Sequence, residues 1–156
     1  MNVKEVMTTE VRTCRSDDSL ARAAQIMWDG DCGCIPVIAD GNRVVGIVTD
    51  RDVCMSALLS GCGLNALAVS DAMSKTVHSC RADDSLQVAE NLMRAHQIRR
   101  LPVVDAEEHV IGILSLNDVA RAFGRERDPS ARSVSSQEIA ETLCDVCRPR
   151  PHALAA

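Results

Sequence analysis

The sequence predicts a mixed α/β (α+β) fold in which a β-α-β-β-α unit occurs twice, followed by a C-terminal helical tail. Residues 3–53 align without a gap to residues 69–119, and 18 of the 51 aligned pairs are identical. Average composition would give roughly one identity in fifteen positions. In both copies, apolar runs of strand length alternate with segments of helical periodicity. Because a single unit is too small to cover its own sheet, we expect the two copies to pack face to face.

Each element of the unit has a local signal. The lead-ins 3–7 and 69–73 are expected to be helical, and short strands are expected at 11–14 and 77–80. Asp17-Asp18-Ser19 and its copy Asp83-Asp84-Ser85 suit a helix N-terminus, where capping side chains and negative charge are favoured. Two apolar runs then follow in each copy with turn residues between them, which predicts a hairpin: 35–38 with 44–48, and 101–104 with 110–114. The last helices are expected to begin at Thr49 and Ser115 and to run to about Leu59 and Phe123.

The repeat sets the expected boundaries. Residues 1–62 form the first repeat, residues 63–124 form the second, and residues 125–156 hold a polar connector, a short amphipathic helix and a disordered end. Ser135 and Glu138 are spaced as a capping box. Ile139, Leu143 and Val146 then lie on one predicted helical face.

Composition excludes several classes of protein. A net charge of −5 disfavours a general nucleic-acid binder, and the near absence of aromatic residues disfavours base stacking. No apolar run approaches the roughly 20 residues of a membrane span, and the first residues do not have the pattern of a signal peptide. We therefore expect a cytoplasmic protein with reduced cysteines.

The stretch Gly46-Ile47-Val48-Thr49-Asp50-Arg51-Asp52 returns as Gly112-Ile113-Leu114-Ser115-Leu116-Asn117-Asp118. A hydroxyl at the helix start with an acid three residues later can simply cap the helix. The same arrangement can hold a ligand, because free helix N–H groups attract phosphate and a carboxylate accepts hydrogen bonds from hydroxyls. Gly46 and Gly112 lack a Cβ and so permit a close approach to the backbone. The pattern leaves both interpretations open.

With this motif duplicated, the chain resembles a tandem pair of cystathionine-β-synthase-type (CBS) domains, the Bateman module. Further residues carry the resemblance: Val6-Met7, Asp17-Asp18-Ser19-Leu20, Ile35-Pro36-Val37-Ile38 and Arg99-Arg100-Leu101-Pro102-Val103-Val104. It implies two repeats packed with pseudo-twofold symmetry. It also implies two clefts between the repeats that bind an adenine nucleotide or related adenosyl ligand, such as AMP, ADP, ATP, NAD(H) or S-adenosylmethionine. It also implies a regulatory module that forms a homodimer.

The resemblance also implies roles for particular residues. Asp52 and Asp118 would contact ribose hydroxyls, with Thr49 and Ser115 near the phosphate. The pairs Ile35-Pro36 and Leu101-Pro102 would line the base pocket, and Thr13 and Ser79, with Thr8 and Ser74 nearby, would contact the base edge unless they serve ordinary strand and turn chemistry. Arg51, Arg99 and Arg100 would offset phosphate charge. Since the second copy has Asn117 in place of Arg51, and the first has Gly33-Cys34 in place of Arg99-Arg100, the clefts are expected to differ in affinity.

Two alternatives remain. The chain could be a protein-interaction scaffold with unoccupied clefts, or a small zinc or thiol-redox protein using Cys144-x-x-Cys147, His152 and Cys32-x-Cys34. Structural zinc normally has four ligands in separated pairs, so we expect no metal. Cys14 and Cys80 are expected to be buried apolar residues. No nucleophile–base arrangement is present, so we expect no enzyme activity and no catalytic cofactor. The expected partners are an adenosyl small molecule, a second copy of the chain and an unknown effector protein, with no membrane and no nucleic acid.

Overall fold

The computed structural model describes residues 1–125 and 135–148. Short 3₁₀ turns at Val3–Glu5, Asp40–Asn42 and Leu64–Ala66 accompany the main elements. In chain order these are β1 (Cys14–Arg15), α1 (Leu20–Asp29), β2 (Cys34–Ile38), β3 (Val44–Thr49), α2 (Asp50–Ser60), α3 (Val69–Ala72), β4 (Cys80–Arg81), α4 (Leu86–His96), β5 (Arg100–Val104), β6 (Val110–Ser115), α5 (Leu116–Arg125) and α6 (Ser136–Val146).

The strands form two three-stranded sheets, ordered β1-β2-β3 and β4-β5-β6. In both sheets a hairpin carries a short parallel strand on its first member, and the registers correspond residue for residue. Pro36 pairs with Ile47 in the first sheet, and Pro102 pairs with Ile113 in the second. The predicted α/β fold of two equivalent repeats is therefore confirmed.

The predicted helix caps are present, but the first strands are shorter and later than predicted. Ser19 Oγ accepts a hydrogen bond from the Arg22 N–H at 3.2 Å, and Ser85 Oγ accepts one from Val88. Strands were expected at 11–14 and 77–80, whereas only two residues of each copy pair with the hairpin. The prediction was wrong at both ends of β1. The Val11 N–H donates to the Thr9 carbonyl at 3.0 Å before the strand, and the Arg15 N–H donates to Asp18 Oδ2 at 2.7 Å, which turns the chain immediately after it.

The two lead-ins are exchanged between the repeats. The Val3 N–H donates to the Asp84 carbonyl at 2.9 Å, and Thr8 and Ile113 exchange two hydrogen bonds of 2.9 Å. The corresponding contacts in the other direction join Val69 to Asp18 and Ser74 to Ile47. Each sheet therefore gains an isolated bridge from the other half of the chain.

The two hydrophobic cores show the same exchange. Val3 is fully buried in the second core with Leu86, Leu101 and Leu114, and Val69 is fully buried in the first core with Leu20. The packing units therefore do not coincide with the division of the sequence into 1–62 and 63–124.

Helix α6 packs on α4 and α5 of the second repeat. Its predicted capping box is present, with the Glu138 N–H donating to Ser135 Oγ and the Ser135 N–H donating to Glu138 Oε2. The predicted apolar face was wrong at one position, since Leu143 is 43% exposed whereas Thr142 is 2% exposed. Residues 126–134 and 149–156, where the connector and the disordered end were predicted, lie outside the described residues.

Within residues 1–125 and 135–148, no helix combines the length and apolar character needed to cross a membrane.

Candidate ligand-binding site

The first copy of the motif is a complete capping box at the junction of β3 and α2. Thr49 Oγ1 accepts a hydrogen bond from the Asp52 N–H at 3.2 Å. Asp52 Oδ2 accepts from the Thr49 N–H at 2.9 Å and from the Thr49 hydroxyl at 2.7 Å. The capping interpretation is thus correct for this copy. The capping box occupies only Oδ2 of the Asp52 carboxylate. No described residue donates a hydrogen bond to Oδ1.

The second copy repeats the box and adds two further contacts. Asp118 Oδ2 accepts from the Ser115 N–H at 2.8 Å and from its hydroxyl at 2.6 Å. Asp118 Oδ1 accepts from the Arg121 guanidinium and from the Thr8 hydroxyl at 3.5 Å. Asp118 is only 6% exposed. Both of its oxygens are therefore engaged within the protein.

The glycines of the motif accommodate methionines from the opposite repeat. A Cβ added to Gly46 would lie 2.6 Å from Met73 Sδ, and one added to Gly112 would lie 2.5 Å from Met7 Sδ. The close approach that the sequence predicted is thus made by the exchanged lead-ins.

The three candidate arginines lie in different surroundings. Arg51 is exposed at the start of α2. Arg100 belongs to β5 but reaches the first repeat, where its Nη2 would lie 3.2 Å from a Cβ on Gly33. Arg99 turns towards the tail and contacts Cys147 Sγ at 3.6 Å. Of these three arginines, Arg100 is the one for which the structure describes a contact with the other repeat.

The residues predicted to line the base pocket separate onto two sheet faces. Ile35 and Leu101 are 0% exposed and belong to the hydrophobic cores. Strand side chains alternate between faces, so Pro36 and Pro102 point to the opposite side of each sheet from these core residues. The other predicted base contacts, Thr13 and Ser79, are half-buried just before β1 and β4.

Arg121 was missed by the sequence analysis, although a signal for it exists. It follows Asp118 by three residues on a helix, a spacing at which oppositely charged side chains meet. The corresponding residue of the first repeat is Met55, which cannot form such a pair.

A cavity of about 380 Å³ lies beside the first motif rather than between Asp52 and Asp118. It is lined by Ala24, Met27, Trp28, Asp31, Cys32, Gly33, Asp50 and Val53. Because Asp50 and Gly33 also adjoin Arg100, the cavity opens next to the start of α2.

All eight cysteines are free. Burial raises the pKa of the Cys14 and Cys80 thiols to about 12 and that of Cys34 to about 11, which disfavours the thiolate that metal binding and redox chemistry require. Cys144 and Cys147 are exposed on the tail, while His152 lies outside the described residues.

Asp105, Glu107 and His109 come within 4.8 Å of one another and could together offer metal ligands. However, Asp105 Oδ1 already accepts hydrogen bonds from the N–H groups of the other two residues, and Asp105 Oδ2 contacts His109 Nδ1 at 3.1 Å. These contacts explain the cluster as the turn between β5 and β6.

Two equivalent repeats with exchanged lead-ins, each carrying a hydroxyl–acid box between a strand and a helix, define a tandem-repeat module. Residues 3–58 and 69–125 match the family model described as CBS domain, and the chain belongs to the CBS domain family.

Similar sequences support the assignment. The CBS domain-containing protein YhcV of Bacillus subtilis is 38% identical over 119 residues, which are 76% of this chain and 83% of that protein. Hypoxic response protein 1 of Mycobacterium tuberculosis is 31% identical over 118 residues, which are 76% of this chain and 82% of that protein.

Similar solved structures include ligand complexes. The CBS domain pair of protein MJ0100, in complex with 5′-methylthioadenosine and S-adenosyl-L-methionine, has a TM-score of 0.73 and 26% identity and covers 81% of this chain and 98% of its own. CBSX2 in complex with AMP has a TM-score of 0.67 and 30% identity, and the match covers 78% of this chain and 94% of CBSX2. Hypoxic Response Protein I with two coordinated zinc ions has a TM-score of 0.71 and 30% identity, and the match covers 78% of this chain and 98% of that protein.

Proposed function

We propose that this protein is a non-catalytic regulatory module that binds an adenine nucleotide or related adenosyl ligand in a cleft between its repeats. The observation that carries the proposal is the free Oδ1 atom of Asp52 beside a helix N-terminus. A carboxylate oxygen with unused lone pairs can accept hydrogen bonds from neighbouring ribose hydroxyls. Complexes of the related MJ0100 and CBSX2 proteins with adenosyl compounds support the choice of ligand class.

The surroundings of Asp52 suit the rest of a nucleotide. The N-terminus of α2 carries the partial positive charge of the helix dipole, which favours phosphate, while the N–H groups of Asp50, Arg51 and Asp52 donate within the protein. Cys34 pairs with Thr49 in the sheet, and Arg100 of the other repeat lies against Gly33 and Cys34. A guanidinium is thus available near the same helix start to neutralise an anionic group.

Regulation would follow from the exchange of lead-ins. A ligand held by groups of both repeats favours the arrangement of the halves that brings these groups together. Differential affinity for two arrangements is what allows a ligand to shift their populations. An effector protein that recognises one arrangement would then respond to the ligand.

Isothermal titration calorimetry of the protein with AMP, ADP, ATP, NAD(H) and S-adenosylmethionine tests this function. We expect saturable binding of at least one compound, which the double variant Asp52→Ala/Asp118→Ala loses while it stays folded by circular dichroism. If the protein were a scaffold with unoccupied clefts, the same variant would show only a loss of folding stability, because each lost helix cap costs about 1 kcal/mol. Absence of heat and of thermal stabilisation with every compound would contradict the proposal.

Exposed apolar side chains on α1 and α2 support binding of a protein partner, and we propose that this partner is a second copy of the chain. Trp28, Leu58 and Leu59 are 84%, 70% and 79% exposed on α1 and α2. The equivalent surface of the second repeat, on α4 and α5, is covered by α6. Trp28 aligns with Arg94, which pairs there with Asp145 of α6 at 2.8 Å. The first repeat thus presents a surface whose counterpart binds a helix.

We expect this surface to form the core of a homodimer, in which α1 and α2 of two copies cover one another. Sedimentation equilibrium tests it with Leu58→Asp/Leu59→Asp, which should convert a dimer to a monomer. Val88→Asp is the matched control, because Val88 is 46% exposed on a helix of the other repeat. A wild-type monomer would instead support the scaffold alternative, with an effector on this surface.

The free cysteines support a reducing compartment for this module, in which disulfides rarely persist. We therefore retain the cytoplasm as its proposed location. Detection of the protein in fractionated cells of its source would test this.

A further inference from the structure

The two copies of the motif differ in how much of the acid is available to a ligand. Asp118 accepts two hydrogen bonds at Oδ2 from Ser115 and two at Oδ1, from Arg121 and Thr8. An ionised carboxylate has about four acceptor positions. The protein therefore already uses the full acceptor capacity of Asp118, and the residue is 6% exposed.

Asp52 retains half of that capacity. Its Oδ2 accepts from Thr49 as Asp118 Oδ2 does from Ser115, but among the described residues nothing donates to its Oδ1. The sequence explains the difference, because Met55 takes the position of Arg121. Ser74, in the position of Thr8, donates its hydroxyl to the Thr76 carbonyl at 3.3 Å instead.

The basic residues reinforce this asymmetry. Arg100 crosses to the first repeat and lies beside Gly33 and Cys34, next to the strand partner of Cys34, Thr49. Arg99, the other arginine of the pair, contacts Cys147 on the tail. Arg100 therefore lies on the Asp52 side, where the Asp50 carboxylate is its neighbour.

Resting on the proposed function, we propose that the Asp52 cleft is the preferred ligand site, that the internal contacts of Asp118 weaken binding in the other cleft, and that Met55 and Arg121 set this difference. A ligand entering the second cleft must displace both Thr8 and Arg121 from Asp118. Because the Arg121 side chain is 63% exposed, solvent screens its ion pair with Asp118 and the pair is weak. Together with the Thr8 hydrogen bond, this corresponds to roughly a tenfold preference for the Asp52 cleft.

Calorimetry with AMP and S-adenosylmethionine as probes tests the assignment through the exchange of two equivalent residues. The wild type should bind one equivalent of a probe roughly tenfold more tightly than a second. Asp52→Asn should abolish this binding and Asp118→Asn should preserve it. Met55→Arg should weaken binding by less than roughly tenfold, because it supplies Asp52 with the ion pair now found at Asp118 but not with the Thr8 hydrogen bond. Arg121→Met should bring the affinity of the second equivalent closer to that of the first, and Arg121→Met/Asp118→Asn should lose this gain.

The outcomes separate this inference from the function it rests on. Two equal sites in the wild type, or loss of binding in Asp118→Asn with retention in Asp52→Asn, would overturn the assignment and leave the proposed function standing. No binding by the wild type or by any variant would overturn both. Thermal melts of every variant identify a loss of binding that is caused by unfolding.

Discussion

Met7 of the first repeat lies directly over Gly112 of the second, so closely that a Cβ on Gly112 would stand 2.5 Å from the Met7 sulfur. Met73 takes the equivalent position over Gly46, where the distance would be 2.6 Å. The glycine that both copies of the motif share is therefore a packing residue that joins the halves.

Replacing these glycines should weaken the joint between the repeats. Gly46→Ala or Gly112→Ala forces a methionine and its backbone to move, which we expect to cost about 1–3 kcal/mol of unfolding free energy. Chemical denaturation measures the loss. Gly63→Ala is the matched control, since its Cβ would meet nothing within 4 Å. Equal effects at all three positions would contradict the packing role.

The cap of α6 should control local stability of the tail. Ser135→Ala removes the acceptor of the Glu138 N–H, and loss of an N-cap costs about 1 kcal/mol. Hydrogen exchange of the α6 amides should accelerate accordingly, while the repeats stay protected. Ser136→Ala, one residue into the helix and exposed, should leave exchange unchanged; acceleration there would indicate that any change to this turn loosens α6.

Glu90 should make the docking of α6 sensitive to pH. Burial raises the pKa of Glu90, the charge of Glu138 raises it further, and the Thr142 hydrogen bond and Arg94 oppose them. Because the folded pKa lies above the ordinary 4.5, the folded state is favoured most below that pH, and this contribution disappears as the pH rises through the folded pKa.

Glu90→Gln should therefore raise the melting temperature at pH 7, and its advantage should vanish as the pH falls below 4.5. Calorimetric melts across this range measure the effect. Glu141→Gln on the exposed side of α6 serves as the control. A Glu90→Gln protein less stable than the wild type at pH 7 would show that the charged form is the favoured one.

Acidification should lower the folding stability through the stacked pair His78 and His96, whereas it raises the stability through Glu90. Their ring centroids lie 3.5 Å apart, and burial followed by the charge of His96 lowers the pKa of His78. The unfolded chain then binds the proton more tightly, so stability should fall as the pH drops through the ordinary value of 6.5. His78→Gln should flatten that part of a stability–pH curve, and an unchanged slope would contradict the assignment.

The sequence predicted the repeats, the hairpins and the capping boxes because each depends on residues close together in the chain. It did not predict the exchanged lead-ins, because Val3 and Val69 have the same local pattern whichever core they enter. Ile35 and Pro36 illustrate a second limit. The family resemblance assigns both residues to the base pocket. Strand alternation puts Ile35 in the core and only Pro36 on the opposite face of the sheet. Arg121 could have been found from its helical spacing to Asp118.

The exchanged lead-ins have a consequence for folding and ancestry. A polypeptide ending near Gly61 would lack Val69 in its core and would carry Val3 with no core to enter. A single-copy ancestor would satisfy both needs only as an obligate dimer of interlocked chains. Gene duplication would have replaced this bimolecular assembly with an intramolecular one, in which the effective concentration of each half no longer depends on expression level. Separately produced halves should accordingly fold only by associating, each with itself or with the other half, and neither should fold as a monomer.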